Sequence, residues 1–127
     1  MNQEPQKLRF TFRKYERICK RKEIETVLKN GKKVFEDGLI VYILKRSLEE
    51  KYSRIAILVS SKVEKSAVKR DKFKRRIREI FRLNKHKISH PIDIIVIATK
   101  ISINKKFKIL QDIFLNILKN NNLLKDV

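Results

Sequence analysis

The sequence from Ala67 to Arg82, AVKRDKFKRRIREIFR, has the pattern of a single amphipathic helix. At about 100° per residue, its large apolar side chains fall in one narrow sector, and its basic side chains fill the sector beside it. The apolar sector holds Phe73, Ile77, Ile80 and Phe81, and the basic sector holds Lys74, Arg75, Arg78 and Arg82. The stretch therefore predicts one face that packs on a core and a neighbouring face that binds an anionic partner.

The charge around this helix is far larger than solubility requires. From Lys69 to Lys85 there are nine Lys or Arg residues and only two acids, Asp71 and Glu79. Asp71 is expected near the first turn, where a carboxylate complements the positive end of the helix dipole. The whole chain has a formal net charge of +19, so a nucleic acid is the expected partner. A membrane surface is the alternative, but the apolar sector is narrow and is needed for the core.

Length and composition predict a single domain. A chain of 127 residues with 42% hydrophobic content can bury one ordinary core, so residues 1–127 are expected to fold together. Within them, residues 1–16 are expected to be extended or loosely ordered, and residues 120–127 are expected to fray. No apolar run is long enough to cross a bilayer, and no signal-peptide pattern is visible. Cys19 is the single cysteine, which excludes an internal disulfide and indicates the cytoplasm.

Before the basic helix, the pattern predicts a short helix and three strands. The helix begins near Lys22, carries apolar residues at helical spacing, and ends at Asn30-Gly31. Strands are predicted at residues 32–36, 39–44 and 55–59, with a turn at Asp37-Gly38 between the first two. The second and third strands are expected to pair antiparallel through the short polar connection that joins them.

After the basic helix, residues 92–98 form a nearly continuous apolar run, which predicts a strand in the centre of a sheet. A last helix is predicted from the broad apolar stripe between Phe107 and Leu118, with Asn104 as its cap. The order of elements indicates an α+β sandwich in which helices cover one sheet.

The sequence contains no recognisable catalytic or metal-binding constellation. It lacks a glycine-rich phosphate loop, a zinc-spaced set of cysteines and an HExxH motif. His86 and His90 are interpreted as loop histidines and Cys19 as an inert thiol, because no partner group is placed near them in the sequence. We therefore predict no catalytic residue, no metal site and no cofactor held by the protein.

The basic residues, by contrast, form a pattern suited to phosphate. Arg75, Arg78 and Arg82 are spaced by three and four residues, so their planar guanidinium groups lie on one side of the helix. The alternative is a solvated surface in a lysine-rich proteome, and six arginines between Ser53 and Arg82 argue against it. The predicted phosphate-binding residues are Lys62, Lys65, Lys69, Arg70, Lys72, Lys74, Arg75, Arg78 and Arg82.

The basic helix resembles the signature of the bacterial ribonuclease P protein subunit. In that family, Ala-Val-x-Arg-Asn-Arg leads into Lys-Arg-x-x-Arg-Glu-x-Phe-Arg or a close variant. The matching residues here are Ala67, Val68, Arg70, Lys74, Arg75, Arg78, Glu79, Phe81 and Arg82. Asp71 stands in place of the family asparagine, Lys72 stands in place of an arginine, and the preceding loop lacks the usual glycine. The resemblance covers nearly the whole chain.

The resemblance implies a two-layer α-β sandwich of order αβββαβα, similar to the second domain of ribosomal protein S5, with a left-handed βαβ crossover through the basic helix. It also implies a protein subunit of ribonuclease P, whose catalytic RNA removes the 5′ leader of precursor tRNA. The basic residues above would bind that RNA, and a cleft between the first helix and the sheet would hold the single-stranded leader. The cleft residues would be Ile24, Leu28, Phe35 and Tyr42.

The same resemblance implies a division of labour between protein and RNA. Catalysis and its Mg²⁺ ions would belong to the RNA. The partners would be the catalytic RNA and precursor tRNA, with no membrane and no obligate protein partner. The residues leave one alternative open, a non-catalytic ribosomal or architectural protein that uses the same helix to bind ribosomal RNA.

Overall fold

A computed structural model describes residues 13–125; the first twelve and the last two residues lie outside this range. Within it, three α-helices and one four-stranded sheet follow one another along the chain. The elements are α1 (Arg21–Asn30), β1 (Lys32–Glu36), β2 (Leu39–Lys45), β3 (Arg54–Leu58), α2 (Ala67–Asn84), β4 (Ile92–Ile97) and α3 (Phe107–Asn120). The α+β class and the order αβββαβα are confirmed.

The first helix ends where the Asn30-Gly31 signal predicted, but for a different reason. Gly31 has a φ of −77° and a ψ of 159°, so the helix does not end in a left-handed residue. A Cβ at this position would lie 2.5 Å from the carbonyl oxygen of Val27 and 3.2 Å from that of Ile43. Glycine is therefore required because α1 and β2 approach each other closely here.

The turn between β1 and β2 confirms the Asp37-Gly38 prediction. Asp37 has a φ of 48° and Gly38 a φ of 85°, the pair of positive values that a two-residue type I′ hairpin needs. Glu36 faces Leu39 directly across the turn, so the register of the whole β1–β2 pair is set here.

The sheet has the strand order β1-β2-β4-β3, so the predicted pairing of β2 with β3 is wrong. Strand β4 lies between them, antiparallel to β2 and parallel to β3. Residues 92–96 of β4 are all buried, which confirms its predicted central place. A strand that is apolar on both faces loses more water-exposed surface in the centre of a sheet than at its edge. The left-handed sense of the β3–α2–β4 crossover stays a prediction.

Helices cover both faces of the sheet. On one face, α2 and α3 pack against alternate strand residues, and the four apolar residues predicted for the buried side of α2 are fully buried there; they are Phe73, Ile77, Ile80 and Phe81. On the opposite face, α1 packs through Val27 against Ala56 and Ile95. We refer to this second face as the α1 face.

Two local expectations are corrected. The cap of α3 is Lys106 and not Asn104, because residues 99–103 form a separate turn that is closed by hydrogen bonds between Thr99 and Ser102. Residues 14–16 form a 3-10 turn, whereas a loosely ordered segment was expected. The rest of that segment, up to residue 12, lies outside the described residues.

The C-terminal segment is also better ordered than expected, as far as residue 125. Leu123 is buried in the core, and Leu124 forms a β-bridge with Ile88. The backbone N–H of Ser89 donates to the carbonyl of Leu123 at 2.8 Å. The prediction of a frayed tail from residue 120 is wrong for this part, because burial of one apolar side chain holds the segment against the α2–β4 connection. Residues 126 and 127 lie outside the described range.

Candidate nucleic-acid interface

The start of α2 is built by polar side chains in the loop before it. The Ser66 hydroxyl accepts a hydrogen bond from the backbone N–H of Lys69 at 3.2 Å and so caps the helix. One guanidinium nitrogen of Arg70 donates to the carbonyl oxygens of Glu64 at 2.7 Å and Lys65 at 3.0 Å. Arg70, predicted to bind phosphate, therefore also orders the loop that carries the predicted residues Lys62 and Lys65.

The predicted cationic face of α2 is divided into two flanks. Lys74 and Arg78 line a cleft beside β3, whereas Lys69, Lys72 and Arg76 line a smaller one near the turn before α3. Arg76 was not among the predicted binding residues. The sequence could have indicated Arg76, because it lies four residues after the predicted residue Lys72 and so on the same side of the helix.

Two acids lie between these flanks and pair with predicted phosphate-binding arginines. Asp71 forms a salt bridge with Arg75 at 3.1 Å, and Glu79 accepts a hydrogen bond from the Nε of Arg82 at 2.9 Å. The hydrogen bond from Arg82 lowers the pKa of Glu79. Asp71 lies directly after the first turn of α2, so it is near that turn but not within it. Its place is four residues before the arginine that it holds.

The four predicted leader residues share the α1 face. Ile24 and Leu28 of α1 pack, together with Tyr42 of β2, against the small core cluster on this face. Phe35 of β1 is directly opposite Ile40, and its side chain is 61% exposed. Ile40 is two residues before Tyr42 in β2, so both point to the α1 face. Directly opposite residues of paired strands point to the same side, so Phe35 lies on this face as well.

A row of apolar side chains crosses all four strands on the α1 face. Phe35 is opposite Ile40, Ile40 is opposite Ile97, and Ile97 is opposite Leu58. We call these four residues the apolar row. The last three are only partly buried, and they were not predicted as site residues because their assignment depends on the strand order.

The α1 face and the cationic flank of α2 meet at the edge of β3. A cleft of about 220 Å³ there is lined by Ile24 and Leu58 from one side and by Lys74 and Arg78 from the other. Arg17, which forms a β-bridge to Ile55, lines the same cleft and adds a cation that was not predicted. A chain that leaves the apolar row over this edge would pass directly onto α2.

A partly buried polar network joins α1 to the sheet. Arg54 of β3 donates to both carboxylate oxygens of Asp93 at 2.9 and 2.8 Å and to Glu23 of α1 at 3.0 Å. The hydrogen bonds to Asp93 raise the pKa of Arg54, so it remains charged. The sequence feature that could have indicated this network is Asp93, a carboxylate inside the apolar run of β4. This network sets the position of α1, and with it the width of the predicted leader cleft.

The described part of the chain contains no group of three or more His, Cys, Asp or Glu residues that could hold a metal ion. Between residues 13 and 125, no helix has both the length and the apolar character to span a membrane. His90, one of the two histidines considered, has its Nδ1 atom 2.8 Å from the carbonyl oxygen of Pro91.

Comparison with known proteins agrees with this arrangement. The family model described as Ribonuclease P matches residues 12–122. The chain belongs to the ribonuclease P protein family. The ribonuclease P protein component of Alkaliphilus oremlandii is 32% identical over 108 residues, which cover 85% of this chain and 92% of that protein.

Solved structures of ribonuclease P proteins have the same fold. The RNase P protein from Staphylococcus aureus superposes with a TM-score of 0.75 at 32% identity, covering 87% of this chain and 98% of that chain. The RNase P protein from Thermotoga maritima superposes with a TM-score of 0.72 at 34% identity, covering 83% and 96%. The α1 face and the basic helix α2 are therefore placed on a ribonuclease P protein fold.

Proposed function

We propose that this chain is the protein subunit of ribonuclease P and that it holds two RNA segments at once. The cations of α2 and its preceding loop bind the catalytic RNA. The α1 face binds the single-stranded 5′ leader of precursor tRNA. The catalytic RNA then removes the leader to give the mature 5′ end of tRNA.

The main observation that supports this proposal is the cleft at the edge of β3. It joins an apolar surface, suited to unstacked bases, to Lys74 and Arg78, which suit phosphates. Tyr42 and the exposed ring of Phe35 offer stacking surfaces worth ~1–3 kcal/mol per base. The α1 face would therefore bind the leader through its bases, and α2 would bind the catalytic RNA through its phosphate backbone.

The protein supplies binding and position, and the RNA supplies the chemistry. The sequence holds no nuclease motif, which supports the assignment of catalysis and its Mg²⁺ ions to the RNA subunit. Cys19 is exposed and is the single cysteine of the chain, which fits work in the reducing cytoplasm.

Reversal of two charges on α2 tests the catalytic-RNA surface. We expect Arg75→Glu with Arg78→Glu to weaken binding to the catalytic RNA sharply, and to reduce the slope of log K against log salt by about 1.4 to 1.8, the share of two phosphate contacts. Filter binding over a salt series measures both quantities. The control, Lys106→Glu with Lys119→Glu on α3, makes the same change in net charge and should bind almost as the parent does.

Cleavage assays test the division of labour. The purified protein should leave precursor tRNA intact, and addition of the cognate catalytic RNA should give cleavage at physiological Mg²⁺. Cleavage by the protein alone would contradict the proposal. Copurification with ribosomal RNA alone, together with unchanged affinity in the α2 variant, would favour the ribosomal or architectural alternative.

A further inference from the structure

A second aromatic surface lines a cleft that shares no residue with the leader cleft. The rings of Tyr15 and Tyr52 have centroids 4.2 Å apart and planes inclined by 38°. Tyr15 is 51% exposed and Tyr52 is 43% exposed, and neither belongs to the two core clusters. We call this pair the tyrosine platform. Two large rings that contribute so little to the core are not explained by folding alone.

Polar contacts hold the chain on both sides of the platform. Glu16, the neighbour of Tyr15, is buried and accepts two hydrogen bonds from the Nζ of Lys85 at 2.8 and 2.7 Å. On the other side, a guanidinium nitrogen of Arg46 donates to the carbonyl oxygen of Tyr52. The residue after Tyr15 and the backbone of Tyr52 are thus held in place, which reduces the ordering that a ligand would have to impose when it binds.

The surroundings of the platform are cationic. The two rings line a cleft of about 530 Å³ together with Arg13, Lys51 and Lys85. An adjoining cleft of about 380 Å³ shares Lys51 and Lys85 and adds Lys125. Among residues 13–125, Glu16 is the one acid that lines either cleft, and it is paired with Lys85. Exposed rings surrounded by cations are the arrangement by which proteins hold unpaired nucleotides.

The position of the platform favours the catalytic RNA over the precursor-tRNA leader as its ligand. Lys85 directly follows Asn84, the last residue of α2, so the platform adjoins the C-terminal end of the basic helix. The apolar row lies at the other end of the sheet, at the last residues of β3 and β4. An RNA bound along α2 therefore reaches the platform directly, whereas the apolar row lies at the opposite end of the strands.

We propose that the tyrosine platform binds an unpaired nucleotide of the catalytic RNA, with its base against the rings of Tyr15 and Tyr52 and its phosphates near Arg13 and Lys51. This inference rests on the proposed function, because it requires that α2 bind the same RNA.

The first test replaces the rings and measures affinity for the catalytic RNA alone, without precursor tRNA. Tyr15→Leu with Tyr52→Leu should reduce affinity about 5- to 100-fold, the effect of one lost base stack, and leave the salt slope unchanged because no phosphate contact is lost. Tyr15→Phe with Tyr52→Phe keeps the rings and should restore most of the affinity. Leu48→Ser, an exposed apolar residue in the same connection, should bind as the parent does.

The second test needs no substitution and therefore decides the question even if the leucine variant unfolds. Ultraviolet crosslinking of the parent protein to the catalytic RNA, followed by peptide mass spectrometry, should give nucleotide adducts on Tyr15 or Tyr52. Adducts confined to other residues, or a folded leucine variant with parental affinity, would overturn the inference. If the α2 variant still loses affinity in that case, the proposed function stands; if the parent fails to bind the RNA, the proposed function fails.

Discussion

At the scale of single residues, Asp71 is the clearest case of a side chain that acts against the binding surface around it. It is a negative charge on the helix that is proposed to bind RNA, and it holds Arg75 at 3.1 Å. Both side chains are well exposed, so the pair contributes little to stability. Its main consequence is that one cation of the surface has a competitor for phosphate.

Replacement of Asp71 by asparagine should therefore strengthen RNA binding. We expect Asp71→Asn to raise affinity for the catalytic RNA about 2- to 5-fold at low salt, the worth of one exposed charge pair. The slope of log K against log salt should stay nearly the same, because Arg75 keeps the phosphate contact that it already makes and only loses its competitor. Electrophoretic mobility shift over a salt series measures both.

Asp112→Asn provides the matched control. Asp112 pairs with Lys108 at 3.5 Å with the same four-residue spacing, but on α3. It should change affinity by no more than the general loss of one negative charge. If both variants gain equally, Asp71 has no specific effect on Arg75.

At the scale of elements, the attachment of α1 depends on a few polar side chains as well as on its apolar stripe. Glu23 of α1 binds Arg54 of β3, which also binds Asp93 of β4. Asp93 is buried, and its carboxylate pairs with Arg54 at 2.8 Å and, at a longer distance of 3.5 Å, with Arg46. One arginine thus joins a helix and two strands.

Removal of Arg54 should destabilise the domain and disturb the leader surface. We expect Arg54→Ala to lower the free energy of unfolding by ~1–3 kcal/mol, because Asp93 would lose two hydrogen bonds and keep only its longer pair with Arg46 at 3.5 Å. Urea denaturation measures this loss. In the folded fraction, affinity for a leader oligonucleotide should fall more than affinity for the catalytic RNA, since α1 carries leader-binding residues and the catalytic-RNA surface is carried by α2 and its preceding loop.

The matched control is Arg21→Ala on α1 itself. Arg21 pairs with Glu25 at 3.3 Å, but the two side chains are 91% and 62% exposed. Its loss should cost less than ~1 kcal/mol. Equal losses for the two variants would contradict the role of burial in the Arg54 network.

At the scale of the whole molecule, charge has opposite effects on folding and on binding. A net charge of +19 on 127 residues makes the folded protein repel itself, and the same charge attracts RNA. Dissolved salt screens both interactions. Stability and affinity should therefore respond to salt in opposite directions.

A salt series on the intact protein tests whether stability and RNA affinity respond in opposite directions. Raising NaCl from about 0.02 M to about 0.2 M shortens the screening length severalfold, so Tm should rise while RNA affinity falls steeply. Scanning calorimetry and filter binding measure the two responses. The Lys106→Glu, Lys119→Glu protein, with a lower net charge, should show a smaller rise in Tm. A fall in Tm with salt would mean that attractive ion pairs outweigh the repulsion.

The sequence alone predicted the features that depend on neighbours along the chain. Spacing of Phe73, Ile77, Ile80 and Phe81 predicted the buried side of α2, and Asp37-Gly38 predicted the hairpin turn, because helical period and turn geometry are short-range properties. The signature of α2 predicted the family, and the density of arginine predicted an RNA-binding surface.

Other features were decided by the tertiary structure alone. The insertion of β4 between β2 and β3 depends on how much apolar surface the whole sheet buries, which no local pattern contains. The apolar row, the cleft that joins it to Lys74 and Arg78, and the pairing of Tyr15 with Tyr52 all follow from that strand order. The sequence determined which side chains are available to bind RNA. Only the packing of distant segments decided which of those side chains lie together.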